Sequence, residues 1–288
     1  MTITYAARSH PGLVRSINED NLYLNGAHMD EQARKAPFAA AGEAALPCLF
    51  AVCDGMGGGA DGEWASLTAA AALKDAQAAI SSAGPKQCAA AVNGYVTMVN
   101  DILCDAMREK NARMGTTLAL VLVSKEGIFP FTAGDSRIYA MQDGELRLLS
   151  EDHTMAMQKV KMGIFTEEQA RADHDWHKLT RYLGIFPDEM QIEAEAFTQL
   201  LLQEGMRLLL CSDGLTDLVT DDRIGELLRS GTPEQAVDAL TQEAMQRGGK
   251  DNITCVVLEL CPGVPGKIKR FLDRVLKKSN AQVKEMRA

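Results

Sequence analysis

The sequence predicts an α+β fold built on largely antiparallel sheets. Short apolar runs bounded by Gly, Asp or Asn are typical of strands. Two long stretches between the early runs, one of them rich in alanine, favour helices. The order is strands, two helices, several strands, a mixed segment and then strands with helices. A parallel sheet would instead require a regular alternation of strand and helix.

The strand predictions follow the apolar runs in chain order. Four runs are predicted to be single strands: Leu49–Cys53, Thr117–Val123, Arg207–Cys211 and Ile253–Leu260. Gly127–Met141 is predicted to form a hairpin or a meander. The turn dipeptide Asp143-Gly144 then leads into a further short strand, Glu145–Leu149. Ala27–Pro47, which is rich in alanine and other small residues, is predicted to be a loop insertion.

Helices are predicted where helix formers and end signals coincide. The four ranges are Glu63–Ile80, Lys86–Lys110, Asp221–Arg229 and Pro233–Arg247. Pro85 precedes the second helix and is favoured at a helix start. Thr232 is the expected N-cap of the fourth helix, and Gly248-Gly249 is its expected stop.

Charge is unevenly distributed along the 288 residues, which carry a net charge of −9. Residues 261–288 hold eight Lys or Arg and two Asp or Glu, a net of +6, so the remaining residues carry −15. Proteins that bind nucleic acid need a basic surface, so this composition argues against nucleic acid as a partner. An acidic body instead fits carboxylates gathered to hold cations.

The seven cysteines are scattered and form no CxxC pair, which argues against a zinc ribbon and a thioredoxin-type site. Cys53, Cys211 and Cys255 lie in apolar runs, where free cysteine behaves as a small hydrophobe. A reducing compartment, the cytoplasm, is therefore expected. Met1–Pro11 lacks the apolar core of a secretory signal, and no run approaches the roughly 18 apolar residues of a membrane span. A monomer is expected.

Four aspartates follow or interrupt apolar runs, namely Asp54, Asp135, Asp213 and Asp251, and Asp20 joins them from the segment RSINEDN. A buried carboxylate at a strand end is costly unless it accepts hydrogen bonds or binds a cation. Each aspartate taken alone fits a turn or a cap. Together they fit a site for Mg²⁺ or Mn²⁺, which prefer oxygen ligands, and neighbouring glycines would let backbone carbonyls approach an ion. Spacing alone leaves both interpretations open.

Eight motifs occur in a fixed order. They are Gly12–Asn21 (GLVRSINEDN), Val52–Gly59 (VCDGMGGG), Gly115–Leu118 (GTTL), Ala133–Tyr139 (AGDSRIY), Glu151–Thr154 (EDHT), Leu179–Gly184 (LTRYLG), Ser212–Asp217 (SDGLTD) and Gly249–Thr254 (GKDNIT). In this order they resemble the metal-dependent, phosphatase-2C-like Ser/Thr protein phosphatases, especially the bacterial members. The resemblance covers nearly the whole body of the chain.

The resemblance implies a central sandwich of two antiparallel β-sheets flanked by helices on both sides, with a metal cluster in a cleft at one end. The phosphatase domain would cover residues 1–260. Residues 261–288 would form a basic tail outside it, whose apolar residues follow helical spacing. Docking of this tail on the acidic body, on a partner or on a membrane surface stays open.

The resemblance also implies ligands for two divalent cations, Mn²⁺ or Mg²⁺, and for a third, weaker one. Asp54, Asp213 and Asp251 would hold the first cation. Asp54 and the carbonyl of Gly55 would hold the second. Asp135 and Asp213 would hold the third.

Four further residues are implied to act around these ions. Asp20 and Glu19 would engage waters of the second cation, and Asn252 would lie just outside the ligands. Arg15 would bind the substrate phosphate, because the planar guanidinium donates two parallel hydrogen bonds.

The implied reaction is hydrolysis of phosphoserine and phosphothreonine in proteins by a metal-activated water, without a covalent intermediate. Substrates would come from a cognate Ser/Thr kinase. Many eukaryotic relatives carry a proton-donating His where this chain has Met56. A metal-bound water is therefore the expected acid. His153 is an alternative acid, and the other interpretation of His153 is a structural role in the turn.

The segment His153–His177 resembles a flap that bacterial members place beside the active site and that is thought to help select substrates. Gly163 and Thr166 belong to it, and Thr166 is the expected N-cap of a short helix. His174 and His177 form an HxxH pair without a third ligand, so a transition-metal site is not favoured.

Two other classes of function stay open. One is a catalytically weak module that binds phosphoproteins, although Asp54, Asp213 and Asp251 are all present. The other is a different two-metal hydrolase, such as a nuclease or a small-molecule phosphomonoesterase, of which the acidic body disfavours the nuclease. Hydrolysis of a phosphothreonine peptide with Mn²⁺ and with EDTA discriminates the enzyme from the binding module.

Overall fold

The computed structural model of the chain describes residues 1–57 and 60–262. The strands are β1 (Thr2–His10), β2 (Asp20–Leu24), β3 (Ala27–His28), β4 (Phe38–Ala45), β5 (Cys48–Met56), β6 (Gly115–Thr116), β7 (Leu118–Ser124), β8 (Gly127–Ala133), β9 (Arg137–Gln142), β10 (Glu145–Leu148), β11 (Glu195–Ala196), β12 (Arg207–Cys211) and β13 (Ile253–Cys261). The helices are α1 (Ala60–Ser82), α2 (Pro85–Lys110), α3 (Met155–Lys161), α4 (Glu167–Arg171), α5 (Asp213–Thr216), α6 (Asp221–Leu228) and α7 (Pro233–Gln246). A short 3-10 helix spans Ala33–Lys35.

The strands form two sheets. The first sheet has the order β10-β9-β12-β13-β1-β4. The second has the order β11-β8-β7-β5-β2-β3, and β6 pairs with the end of β5. The paired strands run antiparallel in both sheets, which confirms the predicted α+β class.

Three apolar clusters hold the layers together. Ile3 from the first sheet and Phe50 and Val121 from the second belong to the cluster between the sheets. A second cluster joins α1 and α2 to the outer face of the second sheet. A third joins α6 and α7 to the outer face of the first sheet. Burial of such side chains stabilises each layer contact by about 1.5–3 kcal/mol per large residue. The result is the helix–sheet–sheet–helix sandwich that the resemblance implied.

Most local predictions are confirmed within a few residues. The four predicted single strands correspond to β5, β7, β12 and β13, and the four predicted helices to α1, α2, α6 and α7. Thr232 caps α7, because its Oγ1 accepts a hydrogen bond from the Gln235 backbone N at 3.3 Å. All seven cysteines are free, and Cys53, Cys211 and Cys255 are fully buried.

The prediction that Gly127–Met141 forms one hairpin or meander is wrong. β8 belongs to the second sheet and β9 to the first, so the chain crosses between the sheets at residues 134–136. Gly134 allows this crossing with φ +118°, and a Cβ there would lie only 2.6 Å from Thr117 Cβ. Asp143-Gly144 does form the predicted turn, between β9 and β10.

The prediction that Ala27–Pro47 is a loop insertion is also wrong. Within it, β4 pairs with β1 over eight residues from Thr2↔Ala45 to Ser9↔Phe38. Small side chains alternate between half-buried and exposed positions in β4, so the strand has little apolar contrast. Partnership with β1, rather than local propensity, makes it a strand.

Within the described part of the chain, each helix is too short or too polar to cross a membrane. From residue 263 onward, the predicted basic tail lies outside the described residues.

Candidate active site

A cavity of about 780 Å³ opens at one end of the sandwich. The antiparallel register explains why acidic residues meet there. β2 begins with Asp20 opposite Asp54, near the end of β5. β12 ends where β13 begins, so Asp213 follows one strand and Asp251 precedes the other. Asp135 lies where the chain crosses from β8 to β9. Both sheets therefore contribute carboxylates to the same end.

Asp20 and Asp54 are direct partners across the β2–β5 ladder. Asp20 is fully buried, and its Oδ2 accepts a hydrogen bond from Ser212 Oγ at 2.7 Å. Its Oδ1 has no hydrogen-bond partner among the described residues. Burial raises the pKa of Asp20 to about 7. Burial, and then the Asp20 and Asp213 carboxylates, raise the pKa of Asp54 well above its usual range.

A second acidic pair, Asp135 and Asp213, lies beside the pair of Asp20 and Asp54. Ligand atoms of Asp135, His177 and Asp213 lie within 4.8 Å of one another. His177 Nδ1 is 3.4 Å from Asp213 Oδ2, and its Nε2 is 3.4 Å from Asp217 Oδ2. The bond to Asp213 raises the pKa of His177 to about 9. Burial, and then the Asp213 carboxylate, raise the pKa of Asp135 well above its usual range.

Asn252 fixes the loop that carries Arg15. Its Nδ2 donates to the carbonyls of Pro11 at 3.0 Å and Ile17 at 2.9 Å. Its Oδ1 accepts from the backbone N of Glu19 at 2.7 Å. The Arg15 Nη2 then donates to Asp251 Oδ2 at 2.7 Å. The loop between β1 and β2 is thus tied to the segment that bears Asp251.

Close backbone approach is needed between these segments. A Cβ on Gly214 would lie 1.9 Å from the carbonyl oxygen of Asn252. Gly12 has φ +82°, and a Cβ there would lie 2.3 Å from the carbonyl oxygen of Asp251. Glycine is required at both positions. A side chain at Gly214 would push the Asp213 segment away from the Asp251 segment, and one at Gly12 would push the loop after β1 away from it.

Thr117 links the two acidic pairs. Its Oγ1 accepts from the Asp54 backbone N at 2.9 Å and bonds to Ser136 Oγ at 2.7 Å. Its backbone N donates to the Asp54 carbonyl at 2.8 Å. Thr117 therefore holds the end of β5 against the crossing that carries Asp135.

The structure brings together most of the site residues expected from the sequence. The described lining of the cavity includes Arg15, Glu19, Asp54, Gly55, Asp135, Asp213, Asp251 and Asn252. Asp20 lies beside Asp54, buried in the wall.

The three named flap residues are not among the described residues that line the cavity. Thr166 caps α4 as predicted, because its Oγ1 accepts from the Gln169 backbone N at 3.2 Å. Gly163 has φ +71°, with open space where a Cβ would be. The role of this segment in substrate selection stays a prediction.

His153 is buried, and both ring nitrogens are engaged. Nδ1 accepts from the Gly134 backbone N at 3.0 Å, and Nε2 donates to Glu195 Oε2 at 2.6 Å. Since Nδ1 must keep its lone pair, the ring is neutral, and burial lowers its pKa. This geometry favours the structural role of His153 over that of a proton donor in the cavity.

Arg171 and Trp176 line the cavity from within the predicted flap segment, although neither was singled out from the sequence, and Asp217 and Lys250 were missed. Trp176 Nε1 donates to Asp217 Oδ1 at 3.0 Å, and the Arg171 guanidinium lies 5.3 Å from the centre of the Trp176 ring. Asp217 could have been found, because it follows Asp213 by one helical turn.

The HxxH pair does not converge on one point. His174 Nε2 lies 3.1 Å from Asp175 Oδ1, whereas His177 faces Asp213 and Asp217. His174 and His177 therefore lie in two separate groups of acidic residues.

The donor set of the cavity fits divalent cations. Glu19 Oε1, like Asp20 Oδ1, is a buried oxygen without a hydrogen-bond partner among the described residues. Burial raises the pKa of Glu19 as well. Carboxylate oxygens that repel one another and lack donors match the preference of hard cations such as Mg²⁺ and Mn²⁺.

The chain is similar in sequence to known protein phosphatases. Residues 32–253 match the family model described as Protein phosphatase 2C. The chain is 33% identical over 272 residues to the serine/threonine protein phosphatase PstP of Mycobacterium tuberculosis. The aligned region covers 90% of this chain and 45% of PstP. The chain is 30% identical over 256 residues to the serine/threonine phosphatase stp of Listeria innocua, with coverage of 88% and 94%.

A solved structure is similar over the same region. It is the catalytic domain of PstP in complex with two manganese ions, with a TM-score of 0.70 and 30% identity over 91% of this chain and 100% of that one. The chain belongs to the protein phosphatase 2C family. It spans less than half the length of PstP.

Proposed function

We propose that this chain hydrolyses phosphoserine and phosphothreonine in proteins, in a reaction that depends on Mn²⁺ or Mg²⁺. The observation that carries the proposal is the convergence of Asp54, Asp135, Asp213 and Asp251 in one cavity beside Arg15. Two relatives named as serine/threonine phosphatases support it, as do the two manganese ions in the PstP structure.

We assign the cations to the residues that the family resemblance implies, all of which line the cavity. Asp54, Asp213 and Asp251 would hold one cation, and Asp54 with the carbonyl of Gly55 a second. Asp135 and Asp213 would hold a third, weaker one. When bound, these ions would supply positive charge to the phosphoryl oxygens and lower the pKa of an attacking water.

Asp20 and Glu19 would support the second cation from behind. Each has a buried carboxylate oxygen without a hydrogen-bond partner among the described residues. Ser212 holds the other oxygen of Asp20. These two residues would therefore orient water around the ion.

Arg15 would bind and orient the phosphate. Its Nη2 donates one N–H to Asp251, which leaves four of the five guanidinium N–H groups for phosphate oxygens. Because Asp251 holds the guanidinium, little side-chain freedom would be lost on binding.

The proton for the leaving alcohol would come from water in the cavity. Met56 lines the cavity but has no proton to donate, and both ring nitrogens of His153 are engaged elsewhere. Substrates would be proteins phosphorylated by a Ser/Thr kinase, and residues 1–260 would suffice for the reaction.

A phosphothreonine-peptide assay tests the proposal. Phosphate release should require Mn²⁺, stop on addition of EDTA and fall to background in Asp54→Ala. Asp101→Ala, on the exposed surface of α2, is the matched control and should keep wild-type turnover. Peptide binding without turnover in the presence of Mn²⁺ would instead favour the phosphoprotein-binding module.

A further inference from the structure

Three large aliphatic side chains are exposed around Arg15. Leu13 is 64% exposed, Val14 69% and Ile17 40%. Isolated exposed aliphatic residues are ordinary on protein surfaces, but these three lie within one stretch of five residues. We call Leu13, Val14 and Ile17 the apolar rim.

The backbone of the apolar rim is fixed. The Leu13 backbone N donates to the carbonyl of Gly249 at 2.7 Å. Asn252 Nδ2 donates to the carbonyl of Ile17 at 2.9 Å and to that of Pro11 at 3.0 Å. The side chains are therefore held out towards solvent by a loop that is anchored at both ends.

The apolar rim adjoins the cavity. Arg15, which lines the cavity, lies in sequence between Val14 and Ile17. Leu13 lies against the Gly248-Gly249 turn, since a Cβ on Gly249 would be 3.2 Å from Leu13 Cγ. Lys250, the next residue, lines the cavity again. The rim is thus continuous with the wall from which Arg15 reaches the proposed phosphate position.

We propose that the apolar rim binds an aliphatic or aromatic side chain next to the phosphoresidue of the substrate. This inference rests on the proposed phosphatase function. An extended peptide advances about 3.3 Å per residue, so a phosphate held at Arg15 brings the next one or two residues to the rim. Burial of an apolar side chain against a fixed surface adds affinity without ordering a loop. Preferred substrates therefore carry Leu, Ile, Val or Phe beside the phosphoserine or phosphothreonine.

Two phosphothreonine peptides of equal length and charge test the inference, one with Leu and one with Ser on either side of the phosphoresidue. With Mn²⁺, the wild type should hydrolyse the Leu peptide with a kcat/KM roughly three- to tenfold higher, mainly through KM. Val14→Thr, which nearly keeps the shape of the side chain, and Leu13→Asn should each bring this ratio towards one. Leu201→Asn is the matched control, since Leu201 is 80% exposed before β12 and should keep the wild-type ratio.

The outcomes separate this inference from the proposed function. Equal hydrolysis of both peptides by the wild type, or a ratio that the rim variants leave unchanged, overturns the rim as a substrate site. A rim variant that changes the molecular mass in size-exclusion chromatography but not the ratio assigns the rim to contact between copies of this chain and also overturns it. Failure to hydrolyse either peptide overturns the proposed function and this inference with it.

Discussion

Asp20 and Asp54 are direct partners across the β2–β5 ladder, so two carboxylates lie side by side. Asp20 is fully buried and Asp54 is partly exposed to the cavity. Two neighbouring carboxylates in such surroundings repel each other and are deprived of water, which is why the pKa of each is raised. The folded chain therefore stores unfavourable charge that bound cations would relieve.

Removal of one carboxylate should stabilise the metal-free chain. In EDTA, Asp54→Asn should melt about 2–4 °C above the wild type, because it relieves roughly 1 kcal/mol of repulsion while keeping the side-chain shape. Added Mn²⁺ should raise the melting temperature of the wild type but hardly that of the variant. Differential scanning fluorimetry measures both effects. Asp101→Asn, on the exposed surface of α2, is the control and should match the wild type in both conditions. The prediction fails if Asp54→Asn melts below the wild type in EDTA and keeps the full Mn²⁺ shift.

The sequence predicted the elements whose apolar runs are buried on both faces. β7 and β12 were predicted as strands because almost every residue in them is buried, so each forms a continuous apolar run in the sequence. β1 and β4 were missed because Thr, Arg and alanine dilute the alternation. Their strand structure depends on pairing partners, which are β13 and β4 for β1 and β1 for β4. The crossing between β8 and β9 could not be predicted from the residues around it, because the sheet to which each strand belongs depends on partners that are distant in sequence.

The candidate site divides in the same way. Asp54 and Asp213 were found because each follows an apolar run that fixes where it lies. Trp176 reaches the cavity because it donates a hydrogen bond to Asp217, at the end of α5, and Arg171, at the end of α4, lies over the Trp176 ring. No periodicity in the sequence encodes that contact.

Loss of the Arg15 guanidinium should weaken phosphate recognition. Charge-assisted hydrogen bonds contribute about 1.5–3 kcal/mol, so Arg15→Ala should lower kcat/KM on a phosphothreonine peptide by about 10- to 100-fold. Arg15→Lys should recover only part of this, because an ammonium cannot donate bidentately. Steady-state kinetics with saturating Mn²⁺ measure the loss. Arg113→Ala, which removes an exposed pair with Glu189, is the control; equal kinetics in the two alanine variants would exclude Arg15 from the site.

Two glycine substitutions should act in opposite directions. Gly214→Ala places a Cβ 1.9 Å from a backbone oxygen of Asn252, so it should destabilise the fold and displace the Asp213 segment. Gly94→Ala lies on an exposed face of α2 with open space around it and should stabilise by about 0.5–1 kcal/mol through helix propensity. Urea unfolding of both variants checks the prediction, which fails if Gly214→Ala is as stable as the wild type.

Breaking the buried Arg137–Asp152 pair should be costly. Arg137 donates to both carboxylate oxygens of Asp152, at 2.8 and 2.6 Å, and both side chains are buried. Asp152→Asn leaves the guanidinium with only the Asp221 carboxylate, 3.8 Å from its Nη1, and should destabilise the fold by about 3 kcal/mol. Asp105→Asn, which breaks an exposed pair with Arg108, should be nearly neutral in the same urea experiment. Similar unfolding midpoints for the two variants would show that solvent reaches the Arg137–Asp152 pair.

His153 should make the fold sensitive to mild acid. Burial lowers its folded-state pKa below the ordinary value of 6.5, so the unfolded chain binds the proton more readily. The contribution of His153 to the unfolding free energy is therefore fully present above pH 6.5 and is lost as pH falls below it. Protonation would also place an N–H of the ring against the backbone N–H of Gly134.

His153→Gln should be less stable than the wild type at pH 8 but should approach it by pH 5, as measured by urea unfolding across that range. The exposed His174→Gln should follow the wild-type curve, and a constant difference between wild type and His153→Gln at every pH would mean that the ring does not titrate in this window.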